Sequence, residues 1–350
     1  MAQPSWVDLA SNSALVMLMP ELSRIERPSV HVTRTLLPAV EKRMAELFDA
    51  SFNSDDTPLT RDALVAAMAD CDVLVPTVTD SIDAAIIAAA PPRLKLIASY
   101  GAGVNHIDLA AAKAKGIMVT NTPGVFTDDT ADLTMALILN VPRRLGEGQR
   151  VVRSGEWKGW SPTGMLGHRI GGKTLGIIGL GRIGEAVAVR AKAFGLNIIY
   201  NKRHRLPASV EDELGITFEP DIDRLVARSD IISLHCPLTA ETDKIINADR
   251  IAQMRPDAYI VNTSRGELID EDALIDALEQ GRIAGAGLDV YTHEPAVDAR
   301  LFDIPNVVLL PHLGSATFEG REASGERVIT NIRVWADGHR PPDQVLEGWQ

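Results

Sequence analysis

The chain has 350 residues, of which 45% are hydrophobic and 23% charged. That is ample for a sizeable core and excludes wholesale disorder. A formal charge of −12 and a pI near 5.2 set the molecule against phosphate backbones, so general nucleic-acid binding is disfavoured. Cys71 and Cys236 make neither a disulfide framework nor a metal-ligand spacing, and they fit a reducing, intracellular compartment. No run approaches the ~18 apolar residues of a membrane helix. The N-terminus lacks a positive region, and Ala14–Met19 is too short for a signal peptide. A cytoplasmic protein that binds no membrane is expected, with no metal.

Taken in order, short Val/Ile/Leu-rich runs predict strands at Ala14–Met19, Val73–Val75, Leu94–Ser99 and Ile117–Asn121. Further runs follow at Thr174–Ile178, Asn197–Tyr200, Ile231–His235, Tyr259–Asn262, Gly287–Val290 and Val307–Leu310. They do not alternate in polarity, which suits strands buried on both faces of a parallel sheet. Helical stretches at Arg34–Phe48, Ile82–Ala89, Glu185–Phe194 and Glu271–Gln280 intervene. The expected class is α/β, with two doubly wound parallel-sheet domains separated by a cleft. About five strands precede Thr122-Pro123-Gly124 and about six begin at Thr174. Between them Asp128–Leu139 reads as a long helix and Leu145–Trp160 as irregular. The last helix, Thr317–Asp337, is expected to pack back on the N-terminal domain. The expected domains are therefore 1–122 completed by 313–350, for substrate, and 123–312, for a dinucleotide.

Gly179-Leu180-Gly181-Arg182-Ile183-Gly184 follows a predicted strand and opens a predicted helix. Glycines there permit a tight turn, close approach of backbone to pyrophosphate, and helix–strand packing, while the helix N-terminus favours phosphate. The acidic residue expected about 20 positions on, which would bind the ribose diol of NAD(H), is replaced by Lys202-Arg203-His204-Arg205. Basic groups there favour the 2′-phosphate of NADP(H), with NAD(H) the second choice.

Three polar residues stand at strand ends of the same half: Arg265, Glu294 and His312. Carboxyl ends of strands line the ligand crevice of a doubly wound sheet. A planar guanidinium suits a carboxylate or 2-oxo group, a His exchanges a proton near neutrality, and a carboxylate beside it orients the ring. Such a set could converge beside a nicotinamide and exchange a proton with a carbonyl or hydroxyl oxygen.

The chain resembles the D-isomer-specific 2-hydroxyacid dehydrogenase family over nearly its whole length. The resemblance rests on Ser99-Tyr100-Gly101-Ala102-Gly103-Val104-Asn105, the turn Gly179–Gly184, Asn262-Thr263-Ser264-Arg265-Gly266, Gly287–Tyr291 with Glu294-Pro295, and Pro311-His312-Leu313-Gly314-Ser315-Ala316-Thr317. It is most similar to the NADP-dependent glyoxylate/hydroxypyruvate reductases. The resemblance implies a flavodoxin-like substrate domain beside a Rossmann domain. It implies that Arg265 binds the substrate carboxylate and carbonyl, that Glu294 pairs with the catalytic His, and that His312 donates the proton in reduction. The turn Gly101, Ala102, Gly103 and Val104 would offer backbone N–H groups to the substrate carboxylate, and Tyr100 would join it in binding substrate. Asp289 would hold the nicotinamide carboxamide, Cys236-Pro237 would flank the adenosine, and Thr130 would touch the cofactor from the interdomain helix. His235, Thr242, Thr263, Ser264 and Gly314 complete the implied cofactor contacts. A homodimer is implied, with Trp160, or as second choice Trp157, reaching the partner's active site. Glu294 departs from formate dehydrogenases, which carry Gln at that position, and no regulatory domain is expected beyond Gln350. Dinucleotide-sensing corepressors keep the same three polar residues and remain the alternative at this point.

Overall fold

The computed structural model describes residues 24–346, so the expected strand Ala14–Met19 lies outside the described residues. The chain forms two units. One runs to Thr122 and resumes at Ser324; the other is Pro123–Ala323.

In the first unit β1 (Ser29–Val32), β2 (Asp49–Phe52), β3 (Val73–Val75), β4 (Leu96–Ala98) and β5 (Met118–Thr120) form one all-parallel sheet of order β2-β1-β3-β4-β5. Every residue of β3 and β4 is buried, as their apolar runs require. β1 and β2 were not expected. In β1 only Val30 and Val32 are buried, and β2 is an edge strand with no buried residue, so neither shows a continuous apolar run. The helix Phe318–Ala336 places Val328, Ile329, Ile332 and Trp335 in one core with Val30, Val32, Val40 and Met44.

In the second unit β6 (Thr174–Ile178), β7 (Asn197–Asn201), β8 (Ile216–Phe218), β9 (Ile231–Leu234), β10 (Tyr259–Asn262), β11 (Gly285–Leu288) and β12 (Val307–Leu309) form an all-parallel sheet of order β12-β11-β10-β9-β6-β7-β8. The order reverses between β6 and β9, which opens a crevice at their carboxyl ends. The helices Thr127–Asn140 and Arg182–Ala193 share one hydrophobic cluster with this sheet, and Ile222–Arg228, Ala248–Gln253 and Glu271–Glu279 share the other. Each unit is thus a doubly wound parallel α/β layer structure, in the flavodoxin-like and Rossmann strand orders respectively.

Three boundaries differ from expectation. β11 begins two residues earlier, because Gly285 and Gly287 pass close against Val141 and Leu137 and so sit in a strand despite their turn-like composition. Leu145–Arg153 is a regular helix rather than irregular chain, with no buried residue. The chain returns to the first unit at Ser324 rather than at 313. The N–H groups of Leu313 and Gly314 are bound by Asp289, and the Thr317 hydroxyl by Asp129, which ties that stretch to the second unit.

Candidate active site

The site is built at the carboxyl ends of the central strands of the second unit. β6 runs into Gly179, whose φ of 93° lies in the left-handed region, and a Cβ there would collide with the backbone of His235 and Cys236. Only glycine lets the turn lie this close to the end of β9. Gly181 is the N-cap of the helix Arg182–Ala193, no side chain caps that terminus, and nothing lies within 4 Å of where a Cβ on Gly181 would stand. The first-turn N–H groups of Arg182, Ile183 and Gly184 therefore have no side-chain acceptor, and a bare backbone faces open space in front of them. A dinucleotide pyrophosphate fits this cradle by charge and by room. Leu180 is buried beneath it.

β7 closes at Asn201, whose side-chain amide donates to the carbonyls of Glu219 and Pro220. Lys202 and Arg203 follow and make no hydrogen bond or ion pair among the described residues. Arg205 is committed elsewhere: Glu211 accepts two hydrogen bonds from it, at 2.9 and 2.7 Å, and one from the Tyr200 hydroxyl at 2.6 Å. Arg205, then Tyr200, holds the Glu211 carboxyl down to about 2. The basic run thus divides into a structural member, Arg205, and two residues outside its hydrogen bonds, Lys202 and Arg203. The Thr239 hydroxyl, and with it the charge of the nearby Arg203, helps hold the Glu241 carboxyl below its ordinary value. β9 leads to His235, pushed down to about 4 by burial, then to the buried Cys236 and exposed Pro237. The His235 Nε2 lies 2.8 Å from the Ser233 hydroxyl. The Thr242 hydroxyl donates to the Pro237 carbonyl at 2.6 Å and closes that loop.

Arg265 follows β10. Its carbonyl accepts from the Asn262 side chain at 2.7 Å, and the Ser264 hydroxyl donates to the Leu234 carbonyl at 2.8 Å, so the loop is fixed to two strands. Gly266 comes so near Tyr291 and Thr292 that a Cβ would overlap their backbone. This approach, which no spacing in the sequence reveals, brings Arg265 beside the loop carrying Glu294. Burial pushes the Arg265 guanidinium down from its ordinary value, and the charges of Glu294 and Glu267 oppose it. Glu294 accepts the Tyr291 N–H at 3.0 Å through Oε1, while its Oε2 lies 2.7 Å from His312 Nδ1. Burial pushes the Glu294 carboxyl up, but His312, the Tyr291 N–H and Arg265 outweigh burial and hold it below its ordinary value. A carboxylate accepts only, so Nδ1 donates in this contact.

The structure therefore brings together Arg265, Glu294 and His312, with Thr263, Ser264, Asp289, Gly314 and the buried Thr130 around them. Tyr100–Val104 belongs to the first unit, where it follows β4; the Tyr100 N–H donates to Pro76 and the Thr122 N–H to Gly101. Trp157 and Trp160 are exposed, at 62% and 84%. Among the described residues no His/Cys/Asp/Glu group could hold a metal ion, and no helix is long and apolar enough to cross a membrane.

Comparison with known proteins agrees with this architecture. The model of the "D-isomer specific 2-hydroxyacid dehydrogenase, NAD binding domain" matches residues 135–314. A glyoxylate reductase of Thermococcus litoralis is 46% identical over 323 residues, covering 91% of this chain and 97% of its own. The NADPH-dependent glyoxylate/hydroxypyruvate reductase of Sinorhizobium meliloti, solved with NADP and malonate, is 35% identical at a TM-score of 0.81, over 92% of this chain and 97% of its own. A glyoxylate reductase of Paecilomyes thermophila is similar at 35% identity and a TM-score of 0.82, over 92% and 99%. With its two parallel-sheet units and its glycine turn, the chain belongs to the D-isomer-specific 2-hydroxyacid dehydrogenase family.

Proposed function

We propose that the protein reduces a small 2-oxo acid, glyoxylate or hydroxypyruvate, to the D-2-hydroxy acid, with NADPH preferred over NADH. The observation that carries the chemistry is the 2.7 Å contact between His312 Nδ1 and Glu294, at a strand end beside Arg265. A bound dinucleotide supplies the hydride. Arg265 holds the substrate carboxylate and carbonyl with its planar fork. Glu294 fixes the ring so that Nε2 of His312 gives a proton to the carbonyl oxygen as it becomes a hydroxyl. Lys202 and Arg203 support the NADPH preference, since both stand after β7 where a carboxylate would repel a 2′-phosphate. The named activities of the relatives from Thermococcus and Sinorhizobium support the substrate class.

We place the protein in a reducing compartment, since both thiols are buried and free. We also read it as a homodimer. The helix Leu145–Arg153 and the chain after it expose Leu145, Val152, Trp157, Trp160, Met165 and Leu166, a run of apolar side chains that a monomer rarely leaves in water. The deciding experiment is a panel of small 2-oxo acids assayed with NADPH and NADH. Turnover of glyoxylate or hydroxypyruvate, faster with NADPH, is expected. No turnover of any 2-oxo acid would overturn the reading.

A further inference from the structure

We propose that Asp343 is a positioning residue for the turn Gly101–Gly103, acting through Asn121 to aim two backbone N–H groups of that turn at the substrate carboxylate. The proposal deepens the reductase reading and rests on it.

Every group involved belongs to the first unit. After β5 the chain passes along the turn that follows β4. The Thr122 N–H donates to the Gly101 carbonyl at 2.9 Å, and the Asn121 side-chain amide donates to the Ala102 carbonyl at 2.6 Å. Two consecutive carbonyls are thus drawn to one side. A trans peptide is planar with its C=O and N–H opposed, so the N–H groups of Ala102 and Gly103 point to the other side. Neither donates to another group among the described residues. Two adjacent N–H groups facing one way suit an anion, and a carboxylate is the anion that a 2-oxo acid brings.

Asn121 is itself gripped at both backbone groups. Its N–H donates to the Asp343 carbonyl at 3.3 Å, and its carbonyl accepts from the Asn331 side chain at 3.2 Å. Asp343 fixes that amide as well: Asn331 Nδ2 donates to Asp343 Oδ2 at 3.1 Å, and the Asp343 N–H donates to Asn331 Oδ1 at 3.2 Å. This reciprocal pair leaves Asn331 one orientation, with Nδ2 toward Asn121. Asp343 and Asn331 are both buried, and a buried carboxylate is kept only where a charge answers it. Arg327 answers it: Nη2 donates to Oδ1 at 2.9 Å, and Nε lies 2.6 Å from Oδ2. The segment carrying Asp343 is anchored on β5, where the Val345 N–H donates to the Val119 carbonyl at 2.8 Å and Gln344 bridges antiparallel to Thr120.

The test is Asn121→Ala and Asp343→Ala, alone and combined, with Asp343→Asn as the conservative variant. Expected for each Ala variant is a rise of about tenfold in KM for glyoxylate, the size of one lost hydrogen bond, with an equal rise in the inhibition constant of oxalate. kcat and NADPH affinity, the latter read by fluorescence titration, should change little. Combined, the two should cost no more than Asn121→Ala alone, because the residue through which Asp343 acts is already gone. Asp343→Asn keeps an oxygen for Asn331 and should recover the wild-type KM. An added loss in the double variant, a fall in kcat or NADPH affinity as large as the rise in KM, or a KM for Asp343→Asn as high as for Asp343→Ala would overturn the proposal. If Asp343→Ala does not fold, Arg327→Met with Asp343→Leu takes its place, since a buried ion pair replaced whole by apolar side chains is tolerated. The same rise in KM is expected, and an unchanged KM overturns the proposal. If the wild type reduces no 2-oxo acid, the reductase reading fails by itself. A crystal structure of whichever Asp343 variant folds then decides the positioning role: an Ala102 carbonyl released from Asn121 supports it, and an unmoved contact overturns it.

Discussion

At the scale of single residues, the site works through constraint. Arg265 is partly buried and its guanidinium donates to the Ser264 carbonyl at 2.6 Å, so the side chain has fewer conformers left to lose. Arg265→Lys keeps the charge but loses the planar fork; kcat/KM for glyoxylate should drop at least about tenfold, the equivalent of one hydrogen bond to a charged group. Normal inhibition of Arg265→Ala by oxalate would show that the anchor lies elsewhere. Glu294 invites a pH experiment. Its folded pKa is depressed, so its contribution to stability is present above the unfolded pKa and is lost as pH falls through the lower, folded value. Glu294→Gln cannot titrate. The Tm of the wild type should therefore fall more steeply than that of the variant as pH is lowered from neutrality through the carboxylate range. Parallel curves would mean that Glu294 is not held low by His312, Tyr291 and Arg265.

At the scale of elements, two adjacent stretches are the ones proposed to bind the nucleotide. In the glycine turn, Gly179 is demanded by the fold, whereas nothing in the fold crowds Gly181. Gly179→Ala has no room and the wrong φ, so it should lower Tm and lose binding together. Gly181→Ala meets no atom within 4 Å, so Tm should hold while dinucleotide affinity falls. Calorimetry beside fluorescence titration separates the two effects, and unchanged affinity for Gly181→Ala would mean that no phosphate approaches this backbone. After β7 the basic residues divide in the same manner. Arg203→Ala should weaken NADPH about tenfold to a hundredfold and leave NADH unchanged, the size of one charge-assisted contact. Arg205→Ala should leave the NADPH preference intact, because Arg205 is bound to Glu211. Equal effects of the two substitutions on NADPH would undo this division.

At the scale of the whole molecule, the exposed apolar run around Leu145–Arg153 makes assembly measurable. Light scattering should give twice the 37.8 kDa chain mass, and Val152→Glu with Leu166→Glu should halve it. A monomeric wild type would leave these side chains without a role in pairing.

The sequence by itself determined the class of fold, and it singled out the glycine turn and the three polar residues, Arg265, Glu294 and His312, that the structure brings together. Apolar runs such as Tyr259–Asn262 and Thr174–Ile178 are buried on both faces, so composition alone marks them, and the glycine turn announces itself by a spacing that phosphate binding requires. β1, β2 and β8 were silent, because strands partly exposed to solvent mix polar with apolar residues. The tertiary structure alone decided how the strand ends converge. Gly266 reads as any loop glycine until its contact with Tyr291 is seen, and nothing local to Arg205 distinguishes it from Arg203 until Glu211 folds against it. The left-handed His312 and the carboxylate of Asp289 that grips its turn stand 23 residues apart in sequence. Contacts of that kind are made by sheet order, which places β11 beside β12, and so become visible only once the chain has folded.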